Sequence, residues 1–240
     1  MKLLEALKQS IKDLNNKKTV LCMAVDGVLF FLLGYLTLPI LNKIIETTIQ
    51  MLNTILQNKV GIFQQPALQY TTKIIWLYLL LAITIFVLYS LFQGTAWKIT
   101  AKITKKTALT IKEFTKISTP YLMAFYIIYL GQTYYGLKQT FIQKLTQQPT
   151  PNMYAWFYYI TTIIIITTAY FGYTKHKHAI KEMLAKSGSI TTYILGVIIV
   201  YLNLSFIIDN LPPKLTYAIG IPLALLFLAW HRAFFIRITS

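Results

Sequence analysis

Residues 74–106 read IIWLYLLLAITIFVLYSLFQGTAWKITAKITKK: twenty-four positions without a charge, the first nineteen an apolar run, and then four lysines between residues 98 and 106 with no acid among them. A hydrocarbon core about 30 Å thick takes roughly twenty apolar residues as a helix, so the first part has the length of a membrane span. The basic part has three readings: a nucleic-acid contact, a face lying along lipid headgroups, or a mark of which side of a membrane this part of the chain occupies. The rest of the chain decides among them.

Of the 240 residues 56% are hydrophobic and only 12% are charged, against about a quarter charged in a soluble domain. No polar block long enough to fold alone interrupts residues 20–235, so residues 1–240 read as a single membrane domain. Apolar runs at 20–41, 74–92, 121–137, 154–173, 190–208 and 215–235 predict an all-α, polytopic helical bundle of six transmembrane helices. Gly131, Gln132, Thr133 and Gly136 interrupt the third run, which makes it short, tilted or packed inside the bundle. The first run exceeds the h-region of a signal peptide and has no small-residue cleavage site before Asn42, so it reads as a retained anchor.

The net charge of +16 would point first to nucleic acid in a soluble protein. With the N-terminus placed in the cytoplasm and the spans alternating, 17 of the 23 Lys and Arg fall inside. Lys43, Lys59, Lys73, Lys138, Lys144 and Lys214 remain outside. Such an asymmetry is what orientation in a membrane demands. No nucleic-acid partner is therefore expected, and both termini are predicted to be cytoplasmic. The bias toward Ile, Lys, Thr, Tyr and Asn suggests an AT-rich prokaryotic genome, and so a prokaryotic cell membrane.

Interfacial helices complete the predicted architecture. Residues 1–15 place Leu3, Leu4, Leu7, Ile11 and Leu14 at helical spacing with Lys2, Lys8 and Lys12 elsewhere on the wheel. Two readings stay open: a helix with its apolar side among acyl chains, or one docked on the protein's own cytoplasmic loops. Residues 96–118 predict two cytoplasmic basic helices, the first continuing out of the second span and bending along the membrane surface, the second short and separate. In the first, Trp97 suits the headgroup level, Lys98, Lys102 and Lys105 share a face, and Ile99 and Ile103 form an adjacent ridge. The second opens on Thr110 and Glu113 at capping-box spacing, followed by Ile111, Phe114 and Ile117. Thr119 then reads as an N-cap, with Pro120 opening the third span. Lys98, Lys102, Lys105, Lys106, Lys112 and Lys116 are thereby candidates for anionic headgroups, at about 1 kcal/mol each near the surface. On the outer side, Pro39 predicts a kink before a separate amphipathic helix over 42–58 that ends near Gly61.

Chemistry is sparse. Asp26, some eight residues past Lys18, is the leading intramembrane ionisable group, with Gln132 and Asn203 as further polar candidates. Asp26 reads either as paired with Lys18 or a polar group on another span, or as an ion-coupling site. The other span-associated acid, Asp209, falls at the opposite membrane face, which argues against a proton-sharing dyad. His176 and His178 are two apart, off a common helical face, and have no acidic or cysteine neighbour, so no metal is expected. His231 and Arg232 read as the cytoplasmic end of the sixth span, and Cys22 as apolar packing. Nucleophile elbows, P-loops and dinucleotide fingerprints are missing, so no catalytic residue and no cofactor is assigned. Gly27, Gly34, Gly196 and Gly220 are candidates for close helix approach. Pro222 is either an ordinary helix proline or the start of a local break. Tyr134, Tyr135, Tyr154, Trp156, Tyr158 and Tyr159 form an aromatic belt or a ligand vestibule.

LFQGTAWKIT at 91–100, a basic amphipathic segment, and TIKEFTKISTPY at 110–121 together carry a resemblance. Residues 85–125 look like the six-span bacterial and archaeal membrane proteins related to the glycerophosphodiester phosphodiesterase membrane-domain group. There a glycine closes the second span and a Glu-Phe-bearing helix precedes the third. The resemblance implies six spans and no activity, because the membrane domain of that group is not its catalytic part.

Two classes of function are left. One is a non-enzymatic membrane protein organising lipid or protein partners, a second copy of itself included, at the cytoplasmic face. The other is a small transporter or channel subunit with a polar path near Asp26 through Gln132, Thr161, Thr168, Asn203 and Ser205.

Overall fold

The computed structural model describes residues 2–58, 61, 64–146, 153–174, 179–210 and 212–239. Every regular element among them is an α-helix: α1 (Lys2–Leu14), α2 (Lys17–Asn58), α3 (Ala67–Ile103), α4 (Ile111–Thr146), α5 (Met153–Tyr173), α6 (Ala179–Ala185), α7 (Ser187–Asp209) and α8 (Pro213–Thr239). Four helices are long and apolar enough to cross a membrane, namely Lys17–Asn58, Ala67–Ile103, Ser187–Asp209 and Leu215–Thr239, and Phe157–Tyr173 is a shorter apolar helix. This is the make-up of an integral membrane protein. α4 falls short of that standard because its charged first turns and the run Gly131, Gln132 and Thr133 dilute its apolar stretch.

Two compact units divide the chain, Met1–Ala24 with Gly94–Ser240, and Val25–Gln93. In the Val25–Gln93 unit, Gln93 Nε2 donates to Asp26 Oδ1 at 3.0 Å and Thr71 Oγ1 donates to Met51 Sδ at 3.4 Å. These bonds join the two helical arms in opposite order, so the arms run antiparallel. Residues 26 and 51 are about 37 Å apart along a helix at 1.5 Å per residue, somewhat more than a hydrocarbon core.

Two predicted helix boundaries are corrected. α2 runs unbroken through Pro39, so residues 42–58 continue the first helix and are not a separate external one. α4 runs through Pro120, and Thr119 is no N-cap: its hydroxyl donates back to the Thr115 carbonyl at 2.7 Å. Residues 96–103 are the last turns of α3, continuous with the second apolar run as expected, while residues 111–118 are the first turns of α4 rather than a separate short helix. A proline removes one backbone donor, a single-bond loss that membrane helices tolerate. Ser118 Oγ also donates to Thr115, and Thr37 Oγ1 to the Leu33 carbonyl just ahead of Pro39. α8 likewise passes Pro222 without interruption.

Elsewhere the local chemistry follows the reading closely. The Glu113 N–H donates to Thr110 Oγ1 at 3.2 Å and Glu113 Oε2 accepts the Thr110 N–H at 2.8 Å, the reciprocal capping box. α3 ends on a Schellman turn that no glycine announced. Lys105 sits at φ 57°, its N–H bonds to the Lys102 carbonyl at 3.4 Å, and the Lys106 N–H reaches the Ala101 carbonyl at 2.8 Å.

Within the larger unit α4 packs on α5, α7 on α8, and α1 on α8. Of the glycines flagged above, Gly34 has nothing within 4 Å of a would-be Cβ. Gly196 and Gly220 do meet a neighbouring helix, a Cβ there standing 3.4 Å from Phe234 and 3.5 Å from Ile208, and the tightest approach is at Gly172, 2.8 Å from Ile117 Cγ2 of α4. Ile117 is β-branched and has little rotamer freedom to yield. Gly172→Val should therefore lower stability by about 1–3 kcal/mol through overpacking, read as a drop in the thermal unfolding midpoint of the detergent-solubilised protein. Gly34→Val should leave that midpoint nearly unchanged.

Candidate functional site

The segment from the end of α3 to the start of α4 has two sharply different sides. Trp97, Thr100, Ala101, Ile103, Leu109, Phe114 and Ser118 are buried. Lys98, Lys102, Lys105, Lys106, Lys112 and Lys116 are all exposed. Helical geometry sorts the residues this way as far as Ile103, since Lys98 and Lys102 are one turn apart and the buried side lies around the wheel from them, while Lys105 stands past the helix end in the Schellman turn. The Schellman turn and the capping box then close the connection, so the lysines stand on ordered backbone.

Trp97 is corrected. It is 3% exposed and packs edge-on against Tyr170 and Tyr173 of α5, with ring centroids 4.9 and 5.3 Å away. Phe114 meets Tyr173 at 4.4 Å. An indole suits a headgroup layer, but aromatic partners on the neighbouring helix give it edge-to-face contacts as well as burial. It is a core residue of this unit.

Beneath the lysines lies a polar and aromatic cluster that sequence reasoning largely missed. Arg232 is 1% exposed, and its Nη2 donates to Cys22 Sγ at 3.2 Å. Cys22 Sγ also lies 3.6 Å from Thr100 Oγ1 and 3.7 Å from the Ala96 carbonyl. Cys22 is thus a polar contact of a buried cation rather than apolar packing alone. His231 Nδ1 lies 3.0 Å from the Leu228 carbonyl, which can only accept, so the proton sits on Nδ1. In the neutral ring Nε2 then accepts from Tyr170 Oη at 2.6 Å. Tyr193, Phe227, Trp230, Phe234 and Phe235 surround this pair.

α1 docks on α8, by a face outside its apolar set. Ala6 and Ser10 are buried, Ser10 Oγ accepts from Trp230 Nε1 at 3.1 Å, and Asp13 takes two bonds from Arg237 at 3.0 Å each. Leu4 and Ile11 stay 72% and 54% exposed. The helix therefore attaches through small and polar groups and leaves part of its leucine and isoleucine stripe uncovered.

The intramembrane candidates each have local surroundings that can be described. Asp26 is buried on Gln93, a polar group of the next helix, which is one of the two readings above. Asn203 is exposed and bonds the Ile199 carbonyl of its own helix, as Thr161 bonds Phe157 and Thr168 bonds Ile164. Ser205 donates to Asp209 one turn along α7. Gln132 keeps a buried Oε1 without a partner among the described residues. Tyr134 and Tyr159 are exposed, like residues of a belt. Among the described residues no three His, Cys, Asp or Glu side chains gather as metal ligands. His176 and His178 lie outside the described residues.

The chain matches no protein-family model, no curated protein and no solved structure.

Asp13 and Arg237 are 13% and 21% exposed, so their bidentate pair is shielded more than a surface ion pair. Asp13→Asn should cost about 1–3 kcal/mol, chiefly by leaving Arg237 half-buried without its counter-charge. Limited proteolysis should then cut within residues 1–16 well before the wild type is cut there.

Proposed function

We propose that this is a non-enzymatic, multi-pass membrane protein that gathers anionic lipid at its cytoplasmic face and organises lipid or partner proteins there. In this reading α2, α3, α4, α5, α7 and α8 supply six spans, the termini are cytoplasmic, and the turn between α3 and α4 faces the same side. The six-span layout also fits the resemblance carried by residues 85–125.

One observation carries the reading. Six lysines of a single short connection are all exposed while its opposite side is buried among aromatic rings. None of the six has a salt-bridge partner among the described residues. An ordered cationic array of this kind attracts anionic headgroups at about 1 kcal/mol per lysine, within a screening length of about 8 Å at physiological salt. The transporter reading has less behind it, since Asn203, Thr161 and Thr168 spend their polar groups on their own helices.

In vesicles holding both a fluorescent anionic lipid and a zwitterionic one, energy transfer from the protein should report enrichment of the anionic lipid around it. Replacing Lys98, Lys102, Lys112 and Lys116 together by Gln should remove up to about 4 kcal/mol of attraction and abolish that enrichment. Equal enrichment around wild type and variant would defeat the proposal. For orientation, Thr107→Cys in a Cys22→Ser background should stay unlabelled by an impermeant thiol reagent added outside sealed cells.

A further inference from the structure

Where α3, α5 and α8 end, the 104–110 turn closes over a cavity of about 260 Å³. Trp97 and Tyr173, both buried, supply aromatic wall, and Lys106, Thr107, Lys186 and Thr239 bring polar groups to it. Two lysines thus line a cavity that has no carboxylate among its described lining residues. Lys186 Nζ donates to the Thr239 carbonyl, which holds it at the wall. Lys106 makes no side-chain hydrogen bond or ion pair among the described residues. Its backbone, however, is fixed by the Lys106 N–H to Ala101 bond of the Schellman turn. A cation placed by a closed turn loses less freedom on binding than one on a loose loop.

Size and chemistry narrow the occupant. Sites for drug-sized ligands run from about 300 Å³ upward, so this one takes a smaller body. Two lysines favour a doubly charged oxyanion, and lysine is a common point-charge binder of phosphate. The aromatic wall offers contact for a few carbons next to it.

We infer that this cavity binds one phosphomonoester, its phosphate between Lys106 and Lys186 and a glycerol-sized body against Trp97 and Tyr173. The site shares Lys106 with the exposed array, but Lys98, Lys102, Lys112 and Lys116 do not line it. A lipid headgroup and a soluble organic phosphate present the same chemistry.

The test uses the full chain in zwitterionic nanodiscs. In one arm glycerol 3-phosphate is titrated from solution and followed by calorimetry; in the other, phosphatidate is incorporated and bound lipid is counted by native mass spectrometry. Saturable binding of one equivalent is expected in at least one arm, and the arm that responds names the source. Lys106→Gln should weaken it on the order of tenfold or more, the loss of a charged hydrogen bond, with the thermal midpoint unchanged because Lys106 holds nothing in the fold. Lys186→Arg keeps both the charge and the donor to Thr239 and should retain binding. Lys98→Gln with Lys116→Gln should bind like wild type even where enrichment of anionic lipid around the protein falls. Absence of saturable binding in both arms, or undiminished affinity in Lys106→Gln, would overturn the inference.

Discussion

A guanidinium buried at the end of α8 governs how the larger unit is assembled. Taking a charge out of water costs several kcal/mol unless hydrogen bonds replace the lost hydration. Arg232 gains a bond to Cys22 near the start of α2, and Cys22 in turn lies against Thr100 and the Ala96 carbonyl of α3. Three stretches distant in sequence are therefore tied to one cation. Around it, positions 229–236 of α8 are all buried, which a helix achieves only when neighbours enclose it on every side. α1 and α7 pack along α8, and rings of α5 meet Phe235 edge-on at 5.2 and 5.3 Å.

The lysine surface is a consequence of that enclosure. Trp97 and Phe114 turn inward because Tyr170 and Tyr173 wait for them on α5, and Tyr170 is itself fixed by His231, the residue beside Arg232. Once the aromatic side of the α3 and α4 ends is consumed in packing, the only direction left for the lysines is outward. The exposed charge and the buried charge belong to one arrangement. Substitutions in the core would consequently disturb the lysine face without touching a single lysine.

What could be read from the sequence was what depends on short-range pattern. Apolar runs gave helices, Thr110 and Glu113 gave a capping box, and lysines at three- and four-residue steps gave an exposed face. What could not be read depends on partners far along the chain. Cys22 looked like a small apolar residue because Arg232 is 210 positions away, and Trp97 looked like a headgroup anchor because its tyrosines lie on α5. Gly172 carried no local sign of its contact with Ile117. The docking face of α1 was hidden for another reason: the larger side chains drew attention to the apolar stripe, whereas Ala6 and Ser10 allow the closer approach.

The prolines show why pattern misled at the helix ends. Breaking a helix leaves four N–H and four C=O groups in need of new partners at each cut, whereas threading it through one proline forfeits a single donor and some local geometry. Near a bilayer, where water is scarce, the second course is the cheaper. α2, α3 and α4 have 42, 37 and 36 residues, or about 63, 55 and 54 Å at 1.5 Å per residue, against a hydrocarbon core of about 30 Å. Each is too long to lie within that core alone. The stretches 42–58 and 111–118, expected to be separate helices, are continuous with α2 and α4, and continuity lets one set of caps serve each whole helix.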